Sequence, residues 1–158
     1  MQKSARPLNL AFLGCGFATK LHSKTLAKLG NEVRRFYASR DASKAAEYNR
    51  KFGGNGTFAS YDAAIRSQEI DIVLVATPPV QHLEQVLHSL QAGKHVIVEK
   101  PPFLRASDFG AVRKAAKDAG KKVFVAENYF YKPLAVRLRE LIQSGVIGEP
   151  LFVHINAL

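Results

Sequence analysis

The chain has 158 residues, 47% of them hydrophobic and 23% charged, which suits one compact domain with a proper core and excludes a disordered or fibrous chain. A formal net charge of +10 and a pI near 9.9 bring polyanionic partners into view. Yet the Lys and Arg residues are scattered in runs no longer than two, with no zinc-ligand spacing, no basic arm and no RNA-binding aromatic signature, so nucleic acid is not expected as the main partner.

The first apolar run, Leu8 to Leu13, reads as a strand, and the stretch after it opens with "GCGFATKLHSKTLAKLG". There Leu21, Thr25, Leu26 and Leu29 recur at helical spacing, giving a helix over Ala18 to Leu29. With Lys3 and Arg6 ahead of it and Cys15 inside it, the same region invites a lipoprotein export reading, which needs an uninterrupted apolar core of about 7 to 15 residues. Asn9 interrupts the run, and no polar spacer follows the cysteine. No other segment has the apolar length to span a bilayer, so a soluble cytoplasmic protein is expected, in which Cys15, the only cysteine, forms no internal disulfide.

A second strand is predicted over Glu32 to Ala38, then a helix from Ala42 to Phe52 with Asp41 as N-cap and Gly53 after its end. A short helix follows Ser60, and a strand runs from Ile70 to Ala76. The next helix carries Val80, Leu83, Val86, Leu87 and Leu90 on one face and stops at Gly93. A strand over His95 to Glu99, a helix over Ser107 to Ala119 closed by Gly120, and a strand over Lys122 to Ala126 complete the alternation. Strands alternating with helices of this length pair in parallel through right-handed crossovers, which predicts an α/β fold with a doubly wound parallel sheet. A further helix, near Leu134 to Ser144, precedes "LFVHINAL", which alternates like a strand with no sheet to join; it should stay disordered or pair with a second copy of the chain.

In a doubly wound sheet ligands sit beyond the carboxyl ends of the strands, so the segments to inspect are "GCG", "TPPVQH", "EKPP" and "ENYFYKP". Gly14 and Gly16 follow a strand and open a helix, where glycine lets a pyrophosphate approach the N–H groups at the helix start, at Phe17 and Ala18. The third position of that dinucleotide fingerprint is Thr19 rather than Gly or Ala, and a plain strand-to-helix turn is the competing reading. Cys15 reads as a small filler. The second strand ends in Ser39 and Arg40, which lack the carboxylate that would repel a 2′-phosphate and supply a fork that binds one, favouring NADP over NAD. Asp41 is assigned to the helix cap; turned inward, it would restore NAD. Lys100, fixed by Pro101 and Pro102 and expected to be partly desolvated, is placed to exchange a proton with a substrate hydroxyl or to steady its developing negative charge, the alternative being a surface pair with Glu99. His82 faces the same edge as Thr77, whereas His88 reads as a surface residue. Tyr129 and Tyr131 beside Asn128 either line a pocket or pack, and no metal is expected.

With "GCGFATKLHS", "DIVLVATPPVQHLE", "AGKHVIVEKPP" and "ENYFYKPLAVRLRELIQSGVIGEP" in this order, the chain resembles the Gfo/Idh/MocA family of nicotinamide-dependent oxidoreductases over essentially its whole length. The E-K-P motif about 20 residues after the T-P motif is the most specific part of the likeness, since glycine loops recur across dinucleotide-binding folds. The resemblance implies a Rossmann-like domain over 1–126, a connecting loop and helix over 127–150, and at 151–158 the first strand of a C-terminal α/β domain that the chain lacks. It leaves open whether the chain is a fragment or a naturally short member. It further implies that Gly14, Gly16, Ser39, Arg40, Thr77, Pro78, His82 and Glu99 surround the cofactor, that Lys100 reaches the substrate beside the nicotinamide, and that Asn128 and Tyr131 lie near the substrate. The function expected is hydride transfer between the nicotinamide and a sugar, polyol or related carbinol. A non-catalytic cofactor sensor or partner subunit is the alternative, needing the glycine loop but not Lys100.

Overall fold

The computed structural model describes residues 6–154. The chain divides into two compact units, Met1–Ala126 and Glu127–Leu158. In the first, strands β1 (Leu8–Leu13), β2 (Val33–Ala38), β3 (Gly56–Phe58), β4 (Ile72–Val75), β5 (His95–Val98) and β6 (Val123–Val125) alternate with helices α1 (Phe17–Leu26), α2 (Ala42–Phe52), α3 (Tyr61–Arg66), α4 (His82–Gln91) and α5 (Ala106–Ala119). Every pairing is parallel, in the order β3-β2-β1-β4-β5-β6. The chain starts at the centre, winds outward to β3, then returns past β1 and winds outward the other way. This is the expected doubly wound sheet, with its switch point between β1 and β4.

Successive strand residues face opposite sides, so each strand feeds two cores. On one side Leu13, Phe36, Val75 and Val98 pack with Ile65 of α3, Val86 and Leu90 of α4 and Val112 of α5. On the other, Leu10, Phe12, Tyr37 and Leu74 pack with Leu26 of α1 and Ala45, Tyr48 and Phe52 of α2. The rings of Phe12 and Tyr37 stack there with centroids 5.2 Å apart.

The structure departs from the sequence pattern at three places. β3 was not expected: its three residues follow two glycines and an asparagine, too short a run for alternation to register. α1 ends at Leu26, short of the expected Leu29, with a 3₁₀ segment over Ala27–Glu32 after it; it buries Thr19 and Ser23 with Leu26 at the edge of the core, and leaves Leu21 exposed, as is Leu29 beyond its end. The polar face is tolerated because Ser23 Oγ accepts a 3.0 Å hydrogen bond from the buried Tyr37 hydroxyl. In the Pro79 to Leu90 segment, Val80 is exposed on a 3₁₀ turn (Pro79–Gln81) ahead of α4, whose buried side mixes His82, Gln85 and Ser89 with Val86 and Leu90.

α2 starts as expected, with the Asp41 carboxylate accepting from the Ser43 N–H at 2.9 Å, and ends at Gly53 in the left-handed region. In the second unit a 3₁₀ turn (Asn128–Tyr131) leads into α6 (Pro133–Gln143), which begins on a proline suited to a helix's first turn. Residues 151–154 belong to no strand, and the rest of the segment expected to form one lies outside the described residues.

Candidate functional site

Four loops meet at the carboxyl edge of the sheet, beyond β1, β2, β4 and β5. At the end of β1, Gly14 has φ +102°, and a Cβ there would lie 2.8 Å from the Ala76 carbonyl oxygen. Its N–H donates to Ala38 O at 2.9 Å, so the loop is pressed between the ends of β2 and β4, and only glycine fits. Gly16 has the opposite character. It is the N-cap of α1 in extended backbone, makes no side-chain capping bond, and a Cβ there would meet nothing within 4 Å. With no acid in the first turn either, the N–H groups that open α1 have no side-chain partner and retain the positive end of the helix dipole. Thr19 is fully buried and donates its hydroxyl to Gly14 O at 2.6 Å, so it fills the close helix-to-strand contact of the third fingerprint position. Burial pushes the Cys15 thiol up to about 11, which makes it an inert filler.

At the end of β2, the buried Ser39 accepts from the Asp41 N–H through Oγ at 3.2 Å, while Arg40 is exposed. Asp41 is committed to Ser43, accepting from its hydroxyl at 2.6 Å as well as from its N–H, and these bonds hold its carboxyl below the usual range.

Beyond β4, Thr77 donates its hydroxyl to Gln85 Oε1 at 2.6 Å, and Pro78 leads into the 3₁₀ turn. His82 is 1% exposed, with Nε2 2.8 Å from Thr77 O and Nδ1 3.1 Å from Pro101 O. It reaches the expected edge, but as a clasp between the T-P-P and E-K-P-P loops rather than as an imidazole open to a ligand.

Beyond β5, Glu99 Oε1 lies 2.6 Å from Nε2 of His22 on α1, and its Oε2 accepts the Lys100 N–H at 3.0 Å. The His22 bond first, then the Lys100 N–H, hold the Glu99 carboxyl below the usual range against the opposing effect of burial. Nothing local in the sequence marks His22, whose partner lies 77 positions away. Lys100 is exposed, so the described residues do not supply the partial desolvation expected of it. Asn128 and Tyr131 belong to the second unit, where the Glu127 carboxylate caps their turn by accepting the Tyr129 N–H at 3.1 Å. Among the described residues no group of three or more His, Cys, Asp or Glu side chains could hold a metal ion, and no helix is long and apolar enough to cross a membrane.

The Gfo/Idh/MocA family, described as an oxidoreductase family with an NAD-binding Rossmann fold, matches residues 8–127. The chain belongs to this family. It is 32% identical over 152 residues to levoglucosan dehydrogenase of Pseudarthrobacter phenanthrenivorans, covering 91% of the chain and 39% of that relative. It is also 32% identical over 123 residues to the D-xylose 1-dehydrogenase (NADP(+)) of Hypocrea jecorina, covering 75% of the chain and 31% of that protein. A solved structure of levoglucosan dehydrogenase in complex with NADH and levoglucosan superposes with a TM-score of 0.83 at 31% identity, over 90% of this chain and 40% of that one. The chain thus spans about two fifths of the length of relatives it matches. In this Gfo/Idh/MocA chain every candidate residue from Gly14 to Lys100 lies inside the matched segment, and Asn128 and Tyr131 lie just past it. The uncapped start of α1, beside a Gly16 whose missing Cβ leaves room, fits a dinucleotide pyrophosphate.

Proposed function

We propose that the chain is the cofactor-binding part of an NAD(P)-dependent oxidoreductase acting on a sugar, polyol or related carbinol, with NADP(H) preferred. The observation that carries this reading is the set of loops at the β1–β4 switch point, where open α/β sheets take their ligands in a crevice. There Gly14 is locked against Ala76, Gly16 leaves room before the uncapped start of α1, and the loops bearing Thr77 and Lys100 are clasped together by His82.

A nicotinamide dinucleotide held there supplies the hydride acceptor or donor. Gly14, Gly16, Phe17 and Ala18 present backbone to the pyrophosphate, with favourable charge from the helix start. Ser39 and Arg40 take the adenosine ribose, where the guanidinium suits a 2′-phosphate. The capping role of Asp41 supports this preference, because its carboxylate is engaged with Ser43 instead of being free for two ribose hydroxyls. Thr77, Pro78 and Glu99 border the nicotinamide end, and His82 shapes it from beneath. In the reducing direction the Lys100 ammonium would give a proton to the carbonyl oxygen as the carbon receives hydride, leaving a neutral amine and the carbinol; in the oxidising direction the neutral amine would take the hydroxyl proton as the C–H electron pair leaves as hydride to the nicotinamide.

Fluorescence titration of the chain with NADPH and NADH tests the reading. NADPH should bind more tightly, and Arg40→Ala should weaken NADPH by about 10- to 100-fold, as for a lost charged hydrogen bond, with NADH nearly unchanged. Equal losses for both would overturn the NADP assignment, and no binding of either would overturn the whole reading.

A further inference from the structure

The loop after β5 is poor in backbone donors. Of Lys100, Pro101 and Pro102, only Lys100 has an N–H, and it is given to Glu99 Oε2. The other oxygen of that carboxylate is held by His22 Nε2 at 2.6 Å. His22 stands in the second turn of α1, which follows β1, while Glu99 stands at the tip of β5, and β4 lies between them in the sheet. The pair therefore bridges the switch-point crevice. The two side chains are only 29% and 17% exposed, which shields their bond from water and strengthens it relative to a surface pair. On its far side the loop is held by Pro101 O, 3.1 Å from His82 Nδ1. Two histidines thus tether it, one toward α1 and one toward α4.

We propose that His22 is a positioning residue that acts through Glu99 to hold the Lys100 backbone at the mouth of the crevice, fixing where the Lys100 ammonium stands relative to the glycine loop. This deepens the reading of Lys100 as substrate-facing and rests on it. Without His22, Glu99 Oε1 loses its donor, the carboxylate turns toward water, and the Lys100 N–H loses its acceptor. The ladder bonds of β5 are independent of this change.

The test compares His22→Ala and His22→Gln in the 158-residue chain. Amide exchange by NMR reads the tether without cofactor. In His22→Ala the Lys100 amide should exchange about tenfold faster, the scale of a lost charged hydrogen bond, while the Val96 amide, bonded to Lys122 O, stays unchanged. His22→Gln, which retains a donor at similar reach, should restore the slow exchange. With NADPH added, His22→Ala should alter the fluorescence lifetime of the bound nicotinamide while the dissociation constant rises by less than about threefold, because His22 itself does not hold the cofactor. An unchanged Lys100 amide, equal acceleration at Val96, or a His22→Gln variant that behaves like His22→Ala would each overturn the tether. Failure of the unsubstituted chain to bind NADPH would instead overturn the dinucleotide reading, and the exchange rates alone would then decide whether His22 holds Lys100.

Discussion

The two edges of the sheet are built on opposite terms. At the amino edge polar groups are consumed by one another: Arg6 grips Asp71 through two hydrogen bonds of 2.8 and 2.6 Å, Asp71 also accepts the Asn9 N–H, and Lys94 donates to Ser67 O at 2.7 Å. At the carboxyl edge α1 starts without a side-chain cap, and among the described residues neither the Arg40 nor the Lys100 side chain makes a hydrogen bond or ion pair. Charge at the first edge is spent on the fold; at the second the carboxylates of Asp41 and Glu99 are engaged, while the cations Arg40 and Lys100 are left open. Substitutions at the amino edge should therefore register in stability, and those among the free groups of the carboxyl edge in binding.

Gly14→Ala should have the largest effect and cross that division, because Gly14 belongs to the packing of both loop and sheet. Backbone strain at positive φ and overlap with Ala76 O should together cost about 2 to 5 kcal/mol in urea unfolding, with cofactor binding lost. Asp71→Ala should cost about 1 to 3 kcal/mol because the buried Asn9 N–H loses its acceptor, with no change in NADPH affinity; a changed dissociation constant would break the comparison.

Acid should probe both edges, since Asp71 and Glu99 are each held below the ordinary carboxylate range, Asp71 by its Arg6 hydrogen bond and Glu99 by its His22 bond. A carboxyl depressed in the folded state contributes stability that is present above its unfolded value, about 4, and is lost as pH falls through its folded value. Asp71→Asn and Glu99→Gln should each flatten the fall in stability below about pH 4, measured by urea titrations across that range. The smallest effect on stability is expected from Lys100→Met, within about 0.5 kcal/mol by the same measurement, because its side chain is exposed and has no partner among the described residues.

The alternation of strands and helices, the Asp41 cap and the segments that follow β1, β4 and β5 were legible in the sequence because each is written in local residue types. What escaped depends on partners far along the chain. The leucines of α1 mimic a buried stripe, but the neighbour that decides its face is Tyr37, whose hydroxyl needs Ser23. His82 was placed at the correct edge, yet only the fold shows that both its ring nitrogens lie against backbone carbonyls. His22 carries no motif, and its part emerges only when β5 is laid two strands away from β1. Lys100 was legible as a position, with partial desolvation expected and a surface placement as the alternative; its side chain is exposed.

The commitment of Asp41 to Ser43 also bears on how cofactor choice can drift during evolution or be redesigned. The acid nearest the ribose position by sequence doubles as the anchor of α2, so any exchange there alters helix stability and ribose recognition at once. Arg40 carries no such double duty, being exposed, whereas the buried Ser39 accepts the Asp41 N–H and so also supports the start of α2. If the proposed ribose site is correct, selection acting on Arg40 would retune the preference between the two dinucleotides while the scaffold stays as it is.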